Sequence, residues 1–356
     1  MSTASPTHPK NARRQGAVSV RDVAREAGVS VASVSRVVNM PESVGAEVRQ
    51  RVEAAIRKLH YVPSGAGRAL TTRRTRIIGA LVPQIAYVVH AAIVEGLQRR
   101  LGRAQYSLVL GLVGYERESE EAEVRRMIIA GAEAMMLTGE QRDPAIYGLL
   151  EAKRIPYVLN SVYHPDSPHP TVGYDNEGVM RELTSHLLDL GHRAFAVMAG
   201  DWARTDRLAE RLAGFRAALA EVDLTPREDW ILKGEPTVPD GRGALRRLMA
   251  GQARPTAIVC FSDAQAFGAL IEAQVMGLKV PRDLSVTGFA DHEFAAQFTP
   301  SLTTVRIPHQ EMSACIGDHL LDRLRGEPVQ HATRIEARIM LRESSGPVPA
   351  KKPRRR

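Results

Sequence analysis

Between Ser19 and Leu59, apolar side chains recur at helical spacing in three short runs. Val23, Ala24 and Ala27 share one face, Val34, Val37 and Val38 a second, and Val48, Val52, Ala55, Ile56 and Leu59 a third. Polar residues mark the ends. Ser19 with Asp22 three residues later has the spacing of a capping box, so a helix is predicted from Val20. Gly28 can take the positive φ that ends it, and Ser30 is the N-cap of the next. The third run stops before Pro63. Helices of about eight residues are unstable alone, so each must lean on its neighbours. The unit predicted over 18–62 is a helix-turn-helix with a supporting helix.

From Arg76 the pattern changes. Short apolar runs, "RIIGALV", "YSLVLGL", "AEAMMLT", "PYVLN", "AFAVMAG", "AIVCFS" and "LSVTGF", alternate with helical patterns such as "HAAIVEGLQRRLGRA", "GVMRELTSHLLDLG", "RLAERLAGFRAALAEV" and "AQAFGALIEAQVMG". Strand, crossover helix and strand, repeated, predict an α/β fold of parallel sheets covered on both faces. Residues 76–342 are enough for two such lobes, with a ligand crevice at the carboxyl ends of the strands. Residues 63–75 are left as a hinge. The ends, 1–17 and 343–356, are polar, basic and Pro-containing, and are expected to be disordered.

Charge separates these parts. The first 76 residues carry fourteen Lys and Arg against five Asp and Glu, and Lys351–Arg356 adds five basic residues with no acid. The remainder is net acidic within a chain of net charge +8. A basic head on an acidic body points to a polyanionic partner for the head. The two cysteines, Cys260 and Cys315, lack CxxC spacing, which suits a reducing compartment and offers no disulfide or metal framework. No run approaches 18 apolar residues and the N-terminus has no apolar signal region, so a cytoplasmic protein without membrane attachment is expected. No P-loop, GxSxG or HExxH occurs, no cofactor is implied, and an enzyme is disfavoured. His164 and His169 lie in a Pro-rich loop and are expected to be exposed.

In a helix-turn-helix the second helix enters the major groove. Its outward residues here are Val31, Ala32 and Arg36, with Ser30, Ser33 and Ser35 small enough for close phosphate approach. Arg36 can bond guanine bidentately, and Val31 and Ala32 can meet a thymine methyl. A helical hairpin with a serine-rich surface is the alternative. One head makes few base contacts, so a homodimer on a palindromic site of double-stranded DNA is expected.

"VSVRDVAREAGVSVASVSRVVN", "VEAAIRKLHYVPS" and "RALTTRRTRIIGALVP" resemble the head, third helix, hinge and first core strand of the LacI/GalR family of bacterial repressors. The similarity runs from about Ser19 to Leu341. It implies a periplasmic-binding-protein-like core that holds a small effector between its lobes and carries the dimer interface. It also implies a hinge that folds on DNA, with Leu70 wedged into the minor groove. Arg68 and Arg73 are placed for flanking phosphates. Gly65 and Gly67 weaken that hinge helix by roughly 1 kcal/mol each relative to alanine.

For the effector, Arg211 matches the family's binding arginine, and Arg207 lies four residues before it on one helix face. Two guanidinium groups suit a carboxylate or phosphate better than a neutral sugar. Arg207 can equally pair with Asp206 or Glu210. Tyr87 can stack on a sugar ring or pack at the lobe edge. Asn160 and Ser262 end strands, and Asp263 can bind ligand or cap the following helix. Where the family commonly has an aspartate after the aromatic, this chain has Ala290, with the acid one residue later at Asp291. The stretch "GFADHEFAAQFTPSLTTV" is most similar to the gluconate-utilisation repressors. The expectation is therefore a repressor answering to a sugar acid such as gluconate or a phosphorylated derivative. A neutral sugar, another metabolite, or a constitutive dimeric DNA binder are the alternatives.

Overall fold

A computed structural model of the chain describes residues 18–63, 65, 67, 69, 74–114 and 119–348, and divides at Thr75/Arg76 into two compact units. The first holds α1 (Val20–Ala27), α2 (Val31–Asn39) and α3 (Ala46–Lys58). Val23, Ala24, Ala27, Val34, Val37, Val52 and Ala55 form its buried core, ringed by Val38, Val48, Ile56 and Leu59. Each helix contributes one stripe to this core, so none has to be stable alone. Gly65, Gly67 and Ala69 have helical backbone. The expectations for Arg68, Leu70 and Arg73, for the arm 1–17 and for residues 349–356 lie outside the described residues.

The second unit has two lobes. In the first lobe, β1 (Ile77–Val82), β2 (Ser107–Leu112), β3 (Ala132–Thr138), β4 (Tyr157–Asn160), β5 (Thr171–Gly173) and β11 (Ala332–Arg334) form one parallel sheet, ordered β11-β5-β4-β3-β1-β2. In the second, β6 (Phe195–Ala199), β7 (Ile231–Lys233), β8 (Ala257–Cys260) and β9 (Ser285–Thr287) form another, ordered β7-β6-β8-β9 and also parallel. β10 (Thr304–Arg306) and β12 (Arg338–Met340) make a separate antiparallel pair.

Among the described residues, eight helices cover the sheets: α4 (Val88–Arg103), α5 (Glu120–Ile129), α6 (Pro144–Ala152), α7 (Asn176–Asp189), α8 (Asp206–Ala220), α9 (Val238–Ala250), α10 (Asp263–Val275) and α11 (His309–Arg325). α7 packs on α8 and α9 on α10 in the second lobe, while α11 returns to the first and packs on α4. The seven expected strands are all present. β5, β7, β10, β11 and β12, each three residues long, were not expected.

The expected disordered tail begins too early. Residues 343–348 belong to the second lobe: buried Ser344 donates its hydroxyl to the Val286 carbonyl (2.6 Å), and the Gly346 amide donates to Ser285 Oγ (3.1 Å). The polar "RESSG" looks like tail composition, yet its serines serve as hydrogen-bond partners for a sheet edge. Among the described residues no helix is long and apolar enough to cross a membrane.

Candidate DNA-binding head and effector cleft

Local rules set the geometry of the head. Ser19 Oγ accepts from the Asp22 amide, and Asp22 Oδ2 accepts from the Ser19 amide (3.0 Å), which completes the capping box. The Ser19 hydroxyl and backbone hold the Asp22 carboxyl below its usual range. Gly28 ends α1 at φ +62°. Arg51 of α3, a residue the sequence reading passed over, donates Nε (3.0 Å) and a terminal nitrogen (2.6 Å) to the Ala27 carbonyl. It thereby satisfies a bare helix end and ties α3 to the turn. A Cβ on Gly28 would lie 2.7 Å from that guanidinium, so a side chain here would be strained by the positive φ and would push Arg51 from the Ala27 carbonyl.

Ser30 caps α2 by accepting from the Ser33 amide (3.0 Å), and the two hydroxyls lie 2.9 Å apart. Ser35 accepts from Asn39 Nδ2 (3.3 Å). The serines are therefore partly committed to the helix itself. Val31, Ala32 and Arg36 are exposed along α2, and Val31 is the one large apolar residue of the helix on its surface.

In the core, a cleft of about 200 Å³ opens beside the carboxyl ends of β6 and β8. Tyr87, His90, Arg207, Arg211, Phe261 and Ser262 are among its lining residues. Arg211 is buried. It donates to Asn176 Oδ1, to the Phe261 carbonyl and to the Tyr174 hydroxyl, each at 3.0 Å, and lies 3.5 Å over the Phe289 ring. All three acceptors are neutral. Arg207 instead pairs with Asp206 (2.9 Å), the alternative left open for it. Burial, then the charge of Arg207, lowers the His90 pKa to about 4. Its Nδ1 faces the Gln84 carbonyl (2.8 Å) and so must carry the proton, which leaves Nε2 as an acceptor. Tyr87 meets the His90 ring edge-on at 5.3 Å.

Three expected effector residues do not line the cleft. Asn160 is buried at the end of β4, where Nδ2 points to Met136 Sδ (2.9 Å). Asp263 is buried as the first residue of α10, and Ser262 rather than Asp263 is the N-cap, accepting from the Ala264 amide (3.1 Å). Asp263 accepts from Thr304 Oγ1 and the His292 amide, both 2.6 Å, and burial raises its pKa to about 6. Asp291 is turned away by two successive positive φ values, +117° at Ala290 and +53° at Asp291. It is neutralised by Arg306 and Arg342, the latter at 2.7 Å. His164, expected to be exposed, is half-buried between two glutamates.

Two family models match: the bacterial regulatory proteins of the lacI family over residues 19–64, and a periplasmic binding protein-like domain over 184–345. The HTH-type transcriptional repressor PurR of Vibrio cholerae is 32% identical over 318 residues, covering 89% of this chain and 94% of that one. PurR of Escherichia fergusonii is 33% identical over 332 residues, with 91% and 96% covered. The chain belongs to the LacI family. A lac repressor dimer bound to operator and the anti-inducer ONPF aligns at a TM-score of 0.84 and 26% identity, over 93% of this chain and 100% of that one. Transcription regulator GntR from Chromobacterium violaceum aligns at 0.72 and 27% identity, over 76% and 99%.

As a LacI-family member the chain is a DNA-binding transcriptional repressor with an effector-binding core, and not an enzyme. The resemblance named Arg211, and Arg211 lines the cleft. His90 and Phe261 line the cleft without having been named as site residues. His90 follows Tyr87 by three positions, so one helical turn was the available signal; Phe261 neighbours Ser262, which was named.

Proposed function

We propose that this repressor binds a palindromic operator as a homodimer through Val31, Ala32 and Arg36, and that its operator affinity is set by a sugar acid seated in the cleft. The observation that carries the effector reading is Arg211. A buried guanidinium whose hydrogen bonds all go to neutral acceptors retains an uncompensated charge, which a ligand carboxylate would offset. Arg207 contributes less, because Asp206 already neutralises it. The acceptor nitrogen of His90 and the hydroxyl of Ser262 suit the hydroxyl groups of such a ligand.

A second reading has its own support. The PurR relatives at 32% and 33% identity favour a purine effector, and the Tyr87 and Phe261 rings offer a planar base apolar contact. Isothermal titration of the full-length protein with gluconate, 6-phosphogluconate, hypoxanthine and guanine separates the two. Binding of an acid, lost in Arg211→Met, is the expected result. Binding of the bases alone transfers the assignment to the second reading. To act as a switch, the ligand must also shift operator affinity in fluorescence anisotropy at fixed salt, since equal affinity for both lobe arrangements moves nothing.

A further inference from the structure

We propose that His164 is a positioning residue that clasps the two lobes together, as a cation held between Glu140 of the first lobe and Glu210 of the second. His164 lies in the loop between β4 and β5, Glu140 in the turn after β3, and Glu210 on α8. His164 Nδ1 meets Glu140 Oε2, and Nε2 meets Glu210 Oε1 at 2.8 Å. Carboxylates only accept, so both ring nitrogens must donate and the ring must be protonated. The proton is what allows two like charges to approach across the lobe boundary.

The turn after β3 is gripped a second time. Asp206, one helical turn before Glu210, accepts from the Glu140 and Gln141 amides, the latter at 2.9 Å. Ser167 fixes the other Glu140 oxygen (2.8 Å). A Cβ on Gly139 would lie 2.0 Å from the Arg207 guanidinium, so this approach depends on glycine. The charged groups facing His164 are Glu140 and Glu210; Asp206 and Arg207 meet the same turn as a mutually neutralising pair, and Asp166 in the histidine's own loop is exposed. The Glu210 bond foremost, reinforced by Glu140 against burial, raises the His164 pKa to about 9. With the folded value above the free one, the clasp is complete below about pH 6.5 and is lost as pH rises through about 9. Lobe closure is thereby coupled to one residue that does not line the cleft.

The proposal rests on the two-lobed core and not on the effector's identity, so its failure and that of the effector reading are separately visible. The test is hydrogen–deuterium exchange on the full-length, ligand-free protein, corrected for intrinsic rates. His164→Gln and Glu210→Gln should speed exchange at the Glu140 and Gln141 amides by about tenfold, a typical size for inter-site coupling, and leave β6 and β8 unchanged. The unmodified protein should approach the variants above about pH 9. Gly139→Ala, which parts the same contact from the other side, should speed the same amides. Unchanged rates in both glutamine variants, a pH response retained in His164→Gln, or an even rise across β6 and β8 would overturn it.

Discussion

At Gly28 the lack of a side chain keeps the turn of the head free of backbone strain. Gly28→Ala forces a side chain into the left-handed region and against Arg51. The head should lose about 1–2 kcal/mol, read as earlier proteolysis of residues 18–63 on heating. Ser30→Ala removes an N-cap and should cost about 1 kcal/mol by the same assay. Arg36→Ala is exposed and structurally neutral by comparison. Its expected effect is a loss of about 1–3 kcal/mol in operator affinity with relaxed preference at one base pair, seen by selection from a randomised site. Asp263 shows the opposite balance, stability traded against charge. Its folded pKa of about 6 lies above the free value, so the folded state holds the extra proton and stability falls as pH rises from about 4 to 6. Asp263→Asn can still accept from the His292 amide while Thr304 turns to accept. Denaturant titrations should show this slope removed and neutral-pH stability raised.

At the scale of elements, the second lobe depends on glycines where helices cross. A Cβ on Gly241 of α9 would meet the Gln265 carbonyl at 2.1 Å, one on Gly268 of α10 the Val238 carbonyl at 2.2 Å, and one on Gly214 of α8 the Glu177 carbonyl at 2.1 Å. These obstacles are backbone atoms and cannot turn aside, so the helix pairs must separate. Gly268→Ala should cost about 1–3 kcal/mol in chemical denaturation, whereas Gly102→Ala, facing open space on α4, should be neutral or slightly stabilising. Helix existence is written in local periodicity, but the closeness of two helices is visible only once both axes are placed. The resemblance points to Arg211 but carries no sign that Gly214, three residues on, seats α8 against α7.

At the scale of the whole molecule, the proposed homodimer is what supplies specificity, because one head reaches few base pairs. A palindromic operator should bind far more tightly than a half-site, and log affinity should fall linearly with log salt in anisotropy titrations. Substituting Arg51, whose guanidinium is spent on the Ala27 carbonyl, should change head stability more than the salt slope. The same logic of committed and uncommitted charge orders the expected effector residues. Arg207 is cancelled by Asp206 and Asp291 by two arginines, while Arg211 keeps its charge.

The chain by itself determined the helix-turn-helix down to its caps, because capping, glycine stops and apolar stripes act within four residues. It also determined the alternation of strand and helix, hence two parallel-sheeted lobes. Only the tertiary structure decided which charges meet. Arg51 and Ala27, His164 and Glu210, and Asp291 and Arg342 are distant in sequence, and the positive φ values at Ala290 and Asp291 accompany the pairing of Asp291 with Arg342 outside the cleft. A charged side chain takes its role from whatever lies within a few ångströms of its tip, and that neighbourhood is assembled only when separate segments pack.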